Sequence, residues 1–280
     1  MNDLKKPKCI HKYLPNIKST TPPGLGDFLR GTVRLYKCSE IYNYNVFIDK
    51  NIHPFFSFFE DDENYINDGS TNDIIELMGD NQNFQKNLEE LFKKNENFSI
   101  LTSLFYTKNE NGIYENYGKI PENIQNKLKK LLVPNKIVKD KLEDVFKNIY
   151  KLDKEEKYKV IHIRTGDKYL INNEKYNNYD DYIKNLLLKI LFYIKNDDTN
   201  YKYILISDSK EFALDIKNFL PRILYWDNKK THIGYLNNEE GLLDTIIDFI
   251  TLSKSEEIVS NGSGFSEIVS EIYNIKNTRL

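Results

Sequence analysis

What this chain lacks narrows its role. It holds two cysteines, Cys9 and Cys38, in 280 residues. That is too few for a framework of bridges, and their spacing suits no metal, so a reducing compartment, structural thiols and no zinc site are expected. No run of 18 uncharged apolar residues occurs, and residues 1–20 are polar and lysine-bearing. Neither a membrane span nor a signal peptide is therefore expected, and the predicted location is the cytoplasm. Charge of one sign is not in excess: 40 basic and 42 acidic side chains leave a net charge of -2. This removes the electrostatic basis for nucleic acid as a general partner. A Gly-x-x-x-x-Gly-Lys-Ser/Thr loop is missing, which counts against a nucleotide-using enzyme such as a kinase. Internal repeats and low-complexity tracts are missing too. The length suits one large domain or two ordinary ones, each able to bury its own core.

What is present is an alternation of strand and helix patterns. Residues 1–12 read as a loose terminus and Tyr13 to Ile17 as a short first strand. A glycine loop, Gly24-Leu25-Gly26-Asp27, then opens a helix to about Tyr42, with Leu29, Val33 and Tyr36 on one face and Asp27 as its N-cap. Tyr44 to Asp49 reads as a strand, Phe55 to Phe59 as core contact, residues 83–95 as a helix and Phe98 to Tyr106 as a strand. Helices starting at Pro121 and Pro134 follow, and the hinge is placed here, giving domains 1–133 and 134–280. The second half repeats the rhythm. Strands at Val160, Tyr203, Ile223 and Glu257 alternate with helices at 179–195, 210–219, 240–252 and 265–273. The expected class is α/β with parallel sheets.

Three loops carry candidate chemistry. The first is the tip of the apolar run Val160-Ile161-His162-Ile163, which ends in Arg164-Thr165-Gly166-Asp167-Lys168. Ligands of open α/β sheets bind beyond the carboxyl ends of strands, and a guanidinium there is a fork matched to two phosphate oxygens. A surface ion pair of Arg164 with Asp167 is the plainer reading. The second loop is Gly24 to Asp27, where a carboxylate at a helix start suits a hydroxyl better than an anion. The third is Asn261-Gly262-Ser263-Gly264-Phe265-Ser266, where N–H groups and hydroxyls at a helix start can hold a diphosphate. Asp248 lies in an apolar helical stretch, and its carboxylate matches the N1 and N2 donors of guanine. A capped helix and a solvent-facing acid are the plainer alternatives.

Together these loops resemble the GDP-fucose-dependent fucosyltransferases, a superfamily that spans the α1,6-fucosyltransferases, the nodulation fucosyltransferases and the protein O-fucosyltransferases. His162 to Lys168 looks like their His-x-Arg-x-x-Asp-Lys motif, Pro23 to Gly31 is similar to their amino-terminal glycine loop, and Asp248 to Ser266 is similar to their closing segment. The resemblance implies a GT-B architecture, two Rossmann-like domains facing each other across a cleft. It also implies an inverting transfer of fucose to a glycan or protein hydroxyl, with GDP-fucose as donor substrate and no metal or other cofactor. Arg164 would bind the β-phosphate, with Asp167 and Lys168 in support. Gly24, Gly26, His162, Ser263, Gly264, Phe265 and Ser266 would line the donor, and Asp248 would read guanine. Two carboxylates compete as general base, Asp27 and Glu174. The α1,6-type enzymes place theirs four residues beyond the motif's lysine, where this chain has Asn172. A catalytically silent nucleotide- or sugar-binding module of the same fold is the alternative function.

Overall fold

The computed structural model describes residues 6–14, 24–78, 83–103, 107–108, 114–115, 119–165, 179–229 and 239–280. The chain divides into two compact units, with the changeover between Asn135 and Lys136.

The first unit is built on a parallel five-stranded sheet in the order β3-β2-β1-β5-β4. Its strands are β1 (Lys8–His11), β2 (Asn45–Asp49), β3 (Tyr65–Ile66), β4 (Ile74–Met78) and β5 (Phe98–Ser103). Helices α1 (Leu25–Tyr42), α2 (Phe84–Lys93) and α3 (Glu122–Leu131) belong to it, with a 3-10 turn at Pro54–Phe58 and a small ribbon of β6 (Thr107–Lys108) and β7 (Tyr114–Glu115). Helix α1 buries Phe28, Leu29, Val33 and Tyr36, the stripe that its 3.6-residue period sets up. Gly31 lets it approach the sheet: a Cβ at that position would lie 2.6 Å from the Thr102 carbonyl oxygen. The helix ends at Asn43, which takes the left-handed conformation at φ 60 and closes the last turn onto the Ser39 carbonyl. Phe55, Phe56 and Phe59 are buried as core contacts.

Two expectations need correction here. The first strand is Lys8–His11, not Tyr13 to Ile17, and residues 8–12 are no loose terminus: β1 is the middle strand, parallel to both β2 and β5. Lys12 to Leu14 form no strand, and residues 15–17 lie outside the described residues. The polarity of His11 and Lys12 masked the strand. Both are wholly buried, and both are satisfied by side-chain and backbone partners. His11 Nδ1 lies 3.0 Å from Thr32 Oγ1 and Nε2 lies 3.0 Å from the Thr102 carbonyl. Lys12 Nζ donates to Asp49 at 2.6 Å, to the Ser70 carbonyl at 3.0 Å and also to Asp68. The second correction is that the N-cap of α1 is Gly24, with no side-chain cap; Asp27 stands inside the first turn.

The second unit has its own parallel five-stranded sheet, in the order β10-β9-β8-β11-β12. The strands are β8 (Tyr158–Ile163), β9 (Lys202–Ser207), β10 (Ile223–Tyr225), β11 (Glu257–Ser260) and β12 (Lys276–Arg279). Its helices are α4 (Lys136–Asp144), which continues as a π turn over Val145–Tyr150, then α5 (Tyr179–Asn196), α6 (Lys210–Phe219), α7 (Glu239–Ser253) and α8 (Gly264–Tyr273). Every residue of β8 is buried, as a central parallel strand covered on both faces requires. Ile161 and Ile163 pack into one core cluster with Leu186, Ile190, Leu205 and Phe212, each such side chain contributing about 1.5–3 kcal/mol by burial. At the amino end of β8, the buried Lys159 ammonium sits 2.8 Å from Asp197 and 3.0 Å from Glu257, an ion cluster that ties β8, β11 and the end of α5 together.

Candidate functional site

In the second sheet the first strand of the unit, β8, lies at the centre. The next two, β9 and β10, are added on one side, and β11 and β12 on the other. The winding direction therefore reverses between β8 and β11, and such a switch point leaves a crevice at the carboxyl ends of the strands. His162 pairs in register with Ser260 across it, so the residues that follow, Arg164 and Asn261, emerge side by side.

They are locked to each other. The Arg164 N–H donates to Asn261 Oδ1 at 3.0 Å, and Asn261 Nδ2 donates back to the Arg164 carbonyl at 2.7 Å. Asn261 Nδ2 also donates to the Tyr182 hydroxyl, at 2.8 Å. Thr165, the next residue, donates from its N–H and its hydroxyl to Asp208 Oδ1 at 2.6 and 2.8 Å. The main chain of Arg164 and Thr165 is thus held by side chains from the ends of β11 and β9. From the sequence Asn261 is only the first residue of the third loop, with no role of its own; its signal is its position directly after a strand, beside the glycines.

Gly262 makes the turn from β11 into α8 at φ 91, with the Arg279 guanidinium so close that an added Cβ would lie 2.8 Å from it. Ser263 is the N-cap of α8 and its Oγ accepts from the Phe265 N–H at 3.3 Å. Ser266 is fully buried and its hydroxyl donates to the Ser263 carbonyl at 3.0 Å. Ser266 therefore stabilises the turn from within. The His162 ring leans on Phe265, with centroids 5.7 Å apart, and Phe265 in turn meets Phe249 of α7 edge-on. The structure thus brings Arg164, His162, Ser263, Gly264, Phe265 and Ser266 to one end of one sheet. Asp167, Lys168 and Glu174 lie outside the described residues. A groove of about 1100 Å³, with Lys159, Asp197, Phe192, Lys276 and Arg279 in its lining, reaches from the amino ends of β8 and β12 to the carboxyl end of β12.

Asp248 and Asp244 stand one turn apart on α7, and both are buried. The plainer reading of Asp248 as a solvent-facing acid is thereby ruled out. Its Oδ1 accepts from Asn228 Nδ2 at 3.2 Å, while Asp244 accepts from the Lys229 N–H at 2.9 Å. Burial, with the Asp248 charge added to it, pushes the Asp244 carboxyl above its ordinary value, against the pull of that N–H.

Comparison with protein-family models and with curated proteins finds no match, but comparison with solved structures does. The NodZ α1,6-fucosyltransferase soaked with GDP-fucose aligns over 96% of this chain and 93% of its own, at 14% identity and a TM-score of 0.62; NodZ has also been solved from Bradyrhizobium. POFUT1 in complex with GDP-fucose aligns over 98% of each chain, at 8% identity and a TM-score of 0.54. A point variant of Arabidopsis thaliana FUT1 in complex with GDP covers 97% of this chain and 69% of its own, at 11% identity and a TM-score of 0.56. The chain has the fold of the GDP-fucose fucosyltransferases. This is the GT-B fold, with two Rossmann-like sheets.

In the first unit of this fucosyltransferase fold, Gly24 and Gly26 stand where the loop passes into α1, and Asp27 follows. Its carboxylate lies 3.4 Å from the Arg30 guanidinium one turn on, with about a fifth of its side chain exposed. Among the described residues no group of three His, Cys, Asp or Glu side chains is placed to hold a metal ion, and no helix is long and apolar enough to cross a membrane.

Proposed function

We propose that this protein is a glycosyltransferase that moves fucose, or a related deoxyhexose, from GDP-fucose to a glycan or protein hydroxyl with inversion and without a metal. The observation that carries the reading is Arg164 at the switch point of the second sheet, with both of its backbone groups held by Asn261 in a fold shared with GDP-fucose enzymes. As the acceptor oxygen bonds to the anomeric carbon, the bond from that carbon to the β-phosphate oxygen breaks and the electron pair leaves with GDP. Negative charge then grows on the β-phosphate, and a pre-positioned guanidinium stabilises it without reorganisation. Asp167 and Lys168 assist Arg164. His162, Ser263, Gly264, Phe265 and Ser266 form the diphosphate wall, where the free N–H groups at the start of α8 favour an anion. Asp248 reads guanine. Gly24 and Gly26 line the donor from the loop that opens α1, and the acceptor proton passes to Asp27, with Glu174 as the competing base. Cys9 and Cys38 are buried and unbridged, which suits work in the cytoplasm.

One observation favours the silent module as a second reading: Asp27 is already engaged by Arg30. The deciding experiment incubates the protein with GDP-fucose and a panel of oligosaccharide and peptide acceptors. Release of GDP with a fucosylated product of inverted anomeric configuration is expected. Tight GDP binding with no release on any acceptor assigns the binding module instead.

A further inference from the structure

The chain leaving β10 runs along one face of α7. Glu240, Asp244 and Asp248 recur there every four residues, and each takes a contact from that segment. Lys229 Nζ pairs with Glu240, the Lys229 N–H donates to Asp244, and Asn228 Nδ2 donates to Asp248 Oδ1 at 3.2 Å. The bond to a carboxylate fixes which way the Asn228 amide is turned, since the flipped amide would set two oxygens against each other. Asn228 Oδ1 is therefore directed away from Asp248. It is buried, and it accepts no hydrogen bond among the described residues. A buried acceptor without a donor among the described residues is uncommon and costly, which favours a donor from a bound molecule.

We infer that Asn228 is a second guanine-reading residue, its Oδ1 accepting from the exocyclic amino group while its Nδ2 holds Asp248 in place. This rests on the GDP reading given above. The edge of guanine that Asp248 would face carries three hydrogens, one on N1 and two on the N2 amino group. A carboxylate spans N1–H and the nearer N2–H, and the remaining N2–H needs a separate acceptor beside that carboxylate. Asn228 Oδ1 belongs to the very amide that touches it. Hypoxanthine lacks the amino group, and adenine offers an acceptor at N1, so neither base satisfies both residues.

The test is calorimetry of the full chain with GDP, IDP and ADP, for the native protein and for Asn228→Ala and Asn228→Ser. Loss of one hydrogen bond beside a charged group is expected to weaken GDP binding on the order of tenfold in Asn228→Ala, with a smaller loss for IDP, so that the preference for GDP over IDP narrows. Asn228→Ser keeps a shorter acceptor and should fall between the two. An unchanged ratio of GDP to IDP affinity in Asn228→Ala overturns the inference, as does an equal loss for all three nucleotides, which would mark a folding role. If the native protein itself fails to prefer GDP over ADP, the GDP reading fails, and the inference about Asn228 fails with it.

Discussion

His11 makes the stability of the first unit depend on mild acid. The ring is wholly buried, stacked on Phe28 with centroids 4.0 Å apart, and lies between the Thr32 hydroxyl and the Thr102 carbonyl. A carbonyl only accepts, so Nε2 carries the hydrogen, and in the neutral imidazole Nδ1 and the Phe28 carbonyl, each 3.0 Å from Thr32 Oγ1, share its single hydroxyl hydrogen. Burial outweighs the opposing hydrogen bond to Thr102 and pulls the pKa from 6.5 down to about 3. The folded state therefore refuses a proton that the unfolded chain accepts below about pH 6.5. Stability is lost as pH falls from there toward 3. At 1.36 kcal/mol per unit, the drop from pH 7 to pH 5 removes about 2 kcal/mol. His11→Gln keeps a donor and an acceptor in the cavity but does not titrate. Hydrogen exchange of amides in β1 and β5, corrected for intrinsic rates at the two pH values, should show the native protein losing about 2 kcal/mol more than the variant. Equal losses in both proteins would refute the reasoning and show that His11 is accommodated as a cation.

Three further outcomes follow from the same contacts. Arg164→Ala should lower transfer on the order of 10²- to 10³-fold while thermal unfolding stays near the native midpoint, and Arg164→Lys should restore little because the fork is lost; near-native turnover would make the residue structural. Asp27→Asn should abolish turnover with GDP affinity retained, and because Asp27 is not the cap of α1 it should cost little stability; normal turnover moves the search for the base to Glu174. Lys12→Met should destabilise the first unit by about 3–5 kcal/mol, since it strands the buried Asp49 carboxylate, and chemical denaturation followed by circular dichroism reads that loss directly.

The second sheet was legible because its strands are apolar runs and its chemistry sits at their ends. Val160 to Arg164, Tyr203 to Asp208 and Glu257 to Ser260 read as strands, and Arg164 stands at the tip where ligands of such sheets bind. Besides β3 and β4, two strands of the five-stranded sheets escaped notice, β1 and β12, and both are polar in sequence. At the end of β1, His11 and the following Lys12 look like surface residues until Thr32, Thr102, Asp49 and Asp68 meet them. In β12, Lys276-Asn277-Thr278-Arg279 is a polar edge strand, the kind that keeps a sheet from pairing further. Asn261 and Asn228 were hidden for a similar reason. An asparagine after a strand has many roles, and only the neighbouring Arg164 backbone and the neighbouring Asp248 give these two a meaning. Asp27 was misplaced by one turn because a glycine caps a helix nearly as well as an aspartate does.

The central claim is that the second unit binds a guanosine diphosphate at the carboxyl ends of its strands, and calorimetric titration of the native protein with GDP, UDP and ADP tests it most directly. The account predicts one site per chain with a clear preference for GDP, lost in Arg164→Ala through the diphosphate and weakened in Asp248→Asn through the base, with the weak binding of ADP little changed by the latter. Equal affinity for the three nucleotides, or a preference for UDP or ADP, would contradict it.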